Sequence, residues 1–249
     1  MLRNRLLARK SSPAAPITAQ PTLPGACTVL RRRLLAGGLA LAALLLVPAA
    51  AQDRVPHSRL FPPEDLGILE GPDRDAWQMP NEVMDALGIT GGARVADLGA
   101  GGGWFTVRLA RRVGPGGLVY AQDIQPRMIE SISRRVGREG LTNVRTILGT
   151  ASDPRLPAAL DAVLIVGTYP EIADPVTLLG NVVASLKPDG RLGIVDFTLD
   201  GGGPGPPLEE RIEPRLVIGN AERAGLRLLA HERFLRYQYL LVFAPAPGG

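Results

Sequence analysis

From residue 78 onward, short apolar runs alternate with stretches whose apolar residues recur every three or four positions, with glycine or proline between them. The runs ARVADLG, GLVYAQDI, NVRTILGT, LDAVLIVGTY and RLGIVDF predict five strands. The fourth is almost wholly apolar, as expected of a strand buried on both faces. Helical spacing predicts a helix from Gln78 to Leu87 (Met79, Val83, Met84, Leu87) ended by Gly88, and another over WFTVRLARRVG, closed by Gly114 and Pro115. Two more follow, over PRMIESISRRVGREG with Pro126 near its start and over ADPVTLLGNVVASLKPDG. GGGPGPP at 201–207 interrupts the pattern before a helix around 213–224. The chain closes with LRLLAHERF and YQYLLVFA, two strands separated only by Leu235-Arg236, which demands an antiparallel hairpin. Such alternation predicts an α/β fold with a mostly parallel sheet and helices on both faces.

Upstream the pattern changes. Residues 52–77 are rich in Pro and Asp and predict an irregular linker. Residues 31–51, RRRLLAGGLALAALLLVPAAA, join a basic cluster to fourteen apolar residues (Leu34 to Val47), a proline and three alanines. This is the plan of an export signal, with cleavage before Gln52, and the Arg-Arg-Arg-Leu-Leu start resembles a twin-arginine signal. The apolar run is shorter than the roughly twenty residues of a membrane span. Export to the periplasm is the expectation; an uncleaved leader anchored in the inner membrane, or a cytoplasmic protein, are the alternatives. Membrane contact is expected only through this leader. The chain thus divides into a leader at 1–51, a linker at 52–77 and a domain at 78–249.

Charge follows the same division. The net charge is +4, but residues 1–51 hold seven basic residues and no acids, leaving 21 basic against 24 acidic residues in 52–249, a net of −3. A mildly acidic domain argues against a nucleic-acid partner. Cys27 is the single cysteine, so neither a disulfide within the chain nor a cysteine-based zinc site is possible, and no metal is expected.

The candidate chemistry lies at VADLGAGGGW, residues 95–104. Glycine is costly to order, so four glycines within 99–103 need a reason in the folded state. In a doubly wound sheet ligands bind beyond the carboxyl ends of the strands, and glycines after the first strand let the backbone turn tightly against one. The following helix presents unpaired N–H groups to a carboxylate. The spacing is G-x-G-x-G with Trp104 in the sixth place, whereas a dinucleotide fold wants a small residue there; a nicotinamide oxidoreductase is disfavoured. Asp123, 24 residues beyond Gly99 at the end of the second strand, can accept hydrogen bonds from both hydroxyls of a ribose.

Together VADLGAGGG (95–103), DIQPRMI (123–129) and LKPDGRL (186–192) resemble the class I S-adenosylmethionine-dependent methyltransferases, near the ubiquinone/menaquinone-biosynthesis and other small-molecule branches. The resemblance spans roughly residues 80–200. It implies a Rossmann-like doubly wound sheet of seven strands in the order 3-2-1-4-5-7-6, the last antiparallel. It implies S-adenosylmethionine as cofactor, with Asp97 placing the methionine end and Gly99, Ala100, Gly101 and Gly103 forming the loop behind it. Asp123 takes the ribose, Ile124 flanks the adenine, and Ala151 and Ser152 read its edge.

Methyl transfer from a sulfonium demands an aligned nucleophile and sometimes removal of its proton. Tyr169 and Glu171, after the fourth strand, are the candidates for orienting the acceptor or taking that proton. Related sequences often carry a histidine here, where this chain has Pro170. GTYP at 167–170 lacks the Asn/Asp-Pro-Pro-aromatic motif of nucleic-acid amino methylases, so a small or lipophilic acceptor is expected. Trp77 and Gln78 are read either as a lid or as an anchor for the first helix. His231 is read as structural. A module that binds the cofactor without turnover is the rival reading.

Overall fold

The protein is described by a computed structural model over residues 59–247. The leader, Cys27, His57 and the start of the linker lie outside the described residues.

Seven strands form one sheet: β1 (Arg94–Leu98), β2 (Leu118–Asp123), β3 (Val144–Leu148), β4 (Leu160–Val166), β5 (Leu186–Phe197), β6 (Leu226–Glu232) and β7 (Gln238–Pro245). Their order is β3-β2-β1-β4-β5-β7-β6, the order the resemblance implies. β3, β2, β1, β4 and β5 run parallel, while β7 is antiparallel to both β5 and β6. The helices are α1 (Arg74–Gln78), α2 (Pro80–Ala86), α3 (Trp104–Val113), α4 (Pro126–Arg138), α5 (Pro175–Ser185) and α6 (Pro214–Arg223).

Alternation along the strands sorts the apolar residues into two cores. Val95 of β1, Leu164 of β4, Val195 of β5 and Leu240 of β7 face α2, α3 and α4. Their neighbours Ala96, Ile165, Ile194 and Leu241 face α5 and α6 instead. Burial on both faces explains why LDAVLIV carries almost no polar residue. The parallel strands bring the carboxyl ends of β1, β2, β4 and β5 to one edge of the sheet, in the register Leu98↔Gln122 and Val166↔Val195.

Four boundaries depart from the pattern. The expected continuous helix from Gln78 breaks at Met79, which adopts φ 44° and lies between α1 and α2. Pro80 explains the break, because its ring disfavours helical backbone in the preceding residue. The segment LKPDG belongs to β5 rather than to α5, with a slip in register between Leu160 and Ala162. The connection between β6 and β7 has five residues, 233–237, rather than two. Leu235 turns into the first core, and the Tyr237 carbonyl accepts the Thr198 N–H at 3.0 Å. Last, the expected irregular linker contains a 3-10 helix at Pro63–Leu69 and then α1. This segment packs against the site.

Candidate cofactor site

At the end of β1 the chain turns through alternating left-handed glycines: Gly99 (φ 71°), Gly101 (φ 54°) and Gly103 (φ 79°). L-residues rarely adopt this backbone, so the G-x-G-x-G spacing is a conformational requirement. Gly99 is also a close approach, since a Cβ there would lie 2.3 Å from Cγ2 of Thr168. Thr168, just past β4, donates from its hydroxyl to the Gly99 carbonyl at 3.1 Å and ties the two loops together. The N–H groups of Gly99 and of half-buried Ala100 both donate to the Gln122 carbonyl at 2.9 Å.

Asp123 faces this bend. Its Oδ2 accepts the Gly101 N–H at 3.0 Å and its Oδ1 the Gln125 N–H at 2.9 Å. Burial raises its pKa above the usual carboxylate range, opposed by these backbone donors. Each oxygen keeps a lone pair for a further donor. Ile124 is half-buried beside it. The next strand in the sheet places Leu148 opposite Asp123, and Gly149 N–H donates to the Asp123 carbonyl at 3.0 Å. Ala151 and Ser152 follow as exposed residues in a turn closed by Thr150 N–H to Asp153 O at 2.8 Å. The Ser152 carbonyl accepts from Asn181 of α5 at 2.9 Å.

Asp97 is only 3% exposed, and its Oδ2 accepts the Thr106 hydroxyl at 2.6 Å. It therefore pins the first turn of α3 beneath the bend. Burial pushes its pKa up to about 6 against the pull of Thr106 and of the Arg74 guanidinium. Trp104 opens α3 and is buried, its ring covered by Arg74 at 4.2 Å and Arg108 at 3.3 Å. That covered indole fills the place where a dinucleotide fold has a small residue.

Residues 61–70 roof the bend. Leu66 reaches to 3.2 Å from where a Cβ on Gly102 would stand and 3.9 Å from one on Gly101. Phe61 spans the cleft: its carbonyl accepts from Gln125 Nε2 at 2.9 Å and its N–H donates to Glu171 Oε2 at 3.2 Å. Ion pairs from Glu64 to Arg127 (3.0 Å) and from Glu70 to Arg135 fasten the segment to α4.

The two acceptor-loop candidates part company. Tyr169 is 1% exposed in the second core, and its hydroxyl accepts from Asn220 Nδ2 at 2.9 Å. Burial pushes its pKa up to about 12, so its place is in packing. Glu171 stays half-buried at the cleft, with its pKa pushed up to about 7 by burial and by the charges of Asp123 and Glu210. Trp77 is held between Phe197 (6.1 Å) and Tyr237 (6.5 Å), and Gln78 Nε2 donates to Gln238 Oε1 at 2.7 Å, which is the anchoring role. His231 lies in β6, edge-on to Tyr239. Sequence reasoning missed Asp196, one residue from the end of β5 and 1% exposed. The signal was there: IVDF repeats the pattern of VADL and YAQD, a buried strand ending in an acid.

A methyltransferase-domain family matches residues 95–190. The chain is 30% identical to a protein-L-isoaspartate O-methyltransferase of Methanothrix thermoacetophila, over 57% of this chain and 70% of that one. It is 34% identical to the ubiquinone/menaquinone biosynthesis C-methyltransferase UbiE of Pasteurella multocida, over 47% of this chain and 44% of that one. Among solved structures, an S-adenosylmethionine-dependent methyltransferase of Aquifex aeolicus superposes with a TM-score of 0.71 at 28% identity, over 75% of this chain and all of that one.

The chain belongs to the S-adenosylmethionine-dependent methyltransferases.

The residues present fit this family's cofactor. The glycine bend carries no side chain of its own but the Ala100 methyl, with Leu66 of the roof over Gly102, and Asp123 stands at the end of β2 with lone pairs to spare, an arrangement that suits a ribose diol. In this methyltransferase, Asp123→Ala is expected to weaken S-adenosylmethionine binding by about 10- to 100-fold, the loss of charge-assisted hydrogen bonds. Calorimetry checks this, and unchanged affinity would remove Asp123 from the site.

Asp97, Glu171 and Asp196 all have raised pKa values in the folded state, to about 6, 7 and 7. The folded protein therefore binds more protons than the unfolded chain, whose carboxyls titrate near pH 4. The stability they contribute is complete below about pH 4 and is lost as pH rises through 6 to 7. Denaturant unfolding from pH 4 to 8 is expected to show this decline, and Asp196→Asn to flatten it. Carboxylates with lowered pKa, such as Asp75 and Asp161, act in the opposite sense but below this window.

Proposed function

We propose that the protein transfers a methyl group from S-adenosylmethionine to a small or lipophilic acceptor held at the carboxyl ends of β4 and β5. The observation that carries this reading is the Asp123 carboxylate turned onto the Gly101 N–H at the mouth of the glycine bend. The cofactor supplies a methyl group on a positively charged sulfur. The chain's own residues supply position: Asp123 for the ribose, the bend for the methionine end, and the 61–70 segment as a cover against water. Glu171, with its raised pKa beside the cleft, suits the role of proton acceptor near neutral pH.

A second reading, a cofactor-binding module without turnover, is favoured by the burial of Tyr169, which removes one of two candidate groups from the acceptor loop. Calorimetry with S-adenosylmethionine and assay of S-adenosylhomocysteine formation on quinones, phenols, thiols and amines separate the two. Binding with acceptor-dependent turnover is expected; binding without turnover on every acceptor would establish the module. A melting temperature raised by NAD and not by S-adenosylmethionine would overturn both.

We also propose that residues 31–51 direct export by the twin-arginine route, which carries folded proteins and allows the cofactor to travel with the chain. Fractionation is expected to find a periplasmic form beginning near Gln52; uncleaved protein in the cytosol would overturn this.

A further inference from the structure

Asp196 is a buried acid that has no part in the cofactor site proposed above. Its Oδ1 accepts the Phe197 N–H at 2.8 Å. Its Oδ2 is the one buried side-chain oxygen or nitrogen without a hydrogen-bond partner among the described residues. A buried acceptor left unpaired costs free energy, so its position calls for a partner from outside the chain, a water, an ion or a bound molecule. The Tyr169 hydroxyl, which accepts from Asn220, makes no bond to Asp196 Oδ2, and two other neighbouring donors are committed elsewhere. The Tyr239 hydroxyl donates to the Ile212 carbonyl at 3.1 Å. The Arg211 guanidinium bonds the carbonyls of Pro206 (3.0 Å), Thr198 (2.9 Å) and Gly202 (3.5 Å).

The position of Asp196 is informative. It stands at the carboxyl end of β5, beside β4, whose continuation carries Glu171. Glu171 is close enough for its charge to raise the pKa of Asp196, and the Phe61 N–H occupies only one of its two oxygens. The surrounding charge is mostly negative: Asp123 and Glu210 act on Glu171, and Arg211 alone opposes on Asp196.

We propose that Asp196 and Glu171 form the acceptor subsite and that the acceptor is an amine, bound as its ammonium ion. This rests on the methyltransferase reading above. An ammonium group offers several donors on one compact atom, enough for the free oxygens of both acids, whereas a hydroxyl offers one. An anionic acceptor would add charge to a site that already repels it. Before transfer, an N–H proton passes to one carboxylate of the pair, both poised near neutral pH. The freed lone pair then forms the N–C bond as the C–S bond breaks, its electrons staying on sulfur.

Four probes sharing one ring and differing in head group test this: benzylamine, benzyl alcohol, benzoate and toluene. Each is titrated into protein saturated with S-adenosylhomocysteine, with amide NMR shifts as the readout. Benzylamine is expected to bind more tightly than the other three and to move resonances at Asp196 and Glu171. Asp196→Asn and Glu171→Gln are each expected to weaken benzylamine about tenfold or more, the loss of one charge-assisted hydrogen bond, while binding of the cofactor product is retained. Should the first variant fail to fold, the half-buried Glu171 carries the test. Preference for the alcohol or benzoate, no amine binding to the wild-type protein, or unchanged affinity in the variants would overturn the proposal. If the wild-type protein fails to bind S-adenosylhomocysteine, the methyltransferase reading falls and takes this one with it.

Discussion

Two backbone N–H groups converge on the carboxylate of Asp123, from Gly101 at 3.0 Å and Gln125 at 2.9 Å, and this junction holds the site in shape. It joins the bend after β1 to the turn after β2, on the side away from β4. Thr168 does the same on the other side, through the Gly99 carbonyl. With both ties made, the glycine segment cannot relax into a looser turn, and its left-handed residues are held where neighbouring elements need them. Replacing any of these glycines would strain the backbone, and at Gly99 it would also collide with Thr168.

A second constraint is electrostatic. β1, β2 and β5 each carry an acid at the last or next-to-last position, and all three acids are withdrawn from water. Withdrawal favours the protonated form, and each acid is met differently. Thr106 and Arg74 compensate Asp97, and backbone donors compensate Asp123. Asp196 receives one backbone donor and a distant guanidinium. The edge of the sheet is thus a place where a cation entering from outside is stabilised and a neutral product less so. These acids would hold a positively charged cofactor more firmly than its neutral product.

Much of this was legible in the chain. Strand period, helix period and the glycine loop are local signals, and they placed all seven strands and Asp97, Gly99, Gly101 and Asp123 correctly along the sheet edge. What escaped were features that depend on tertiary partners. Tyr169 follows β4 just as an acceptor-loop residue should, but whether its ring turns outward or into the core depends on Asn220, fifty-one residues away. The segment 61–70 has no apolar period to announce it, since its order comes from contacts with Gln125, Arg127, Arg135 and Glu171. Asp196 carries a local signal, an acid near the end of an apolar strand, but its unpaired oxygen depends on where Tyr239 and Arg211 turn their donors.

The roof over the bend is fastened in two unlike ways. Phe61 grips the cleft through its backbone N–H and carbonyl, whereas Glu64 and Glu70 hold α4 through charge-assisted hydrogen bonds from arginines, Glu64 out in the solvent. Attraction between exposed charges fades as dissolved ions crowd in, while backbone bonds barely notice them. The exposed tie between Glu64 and Arg127 is therefore the one that brine loosens first, while the grip at Phe61 and the more sheltered pair of Glu70 with Arg135 hold.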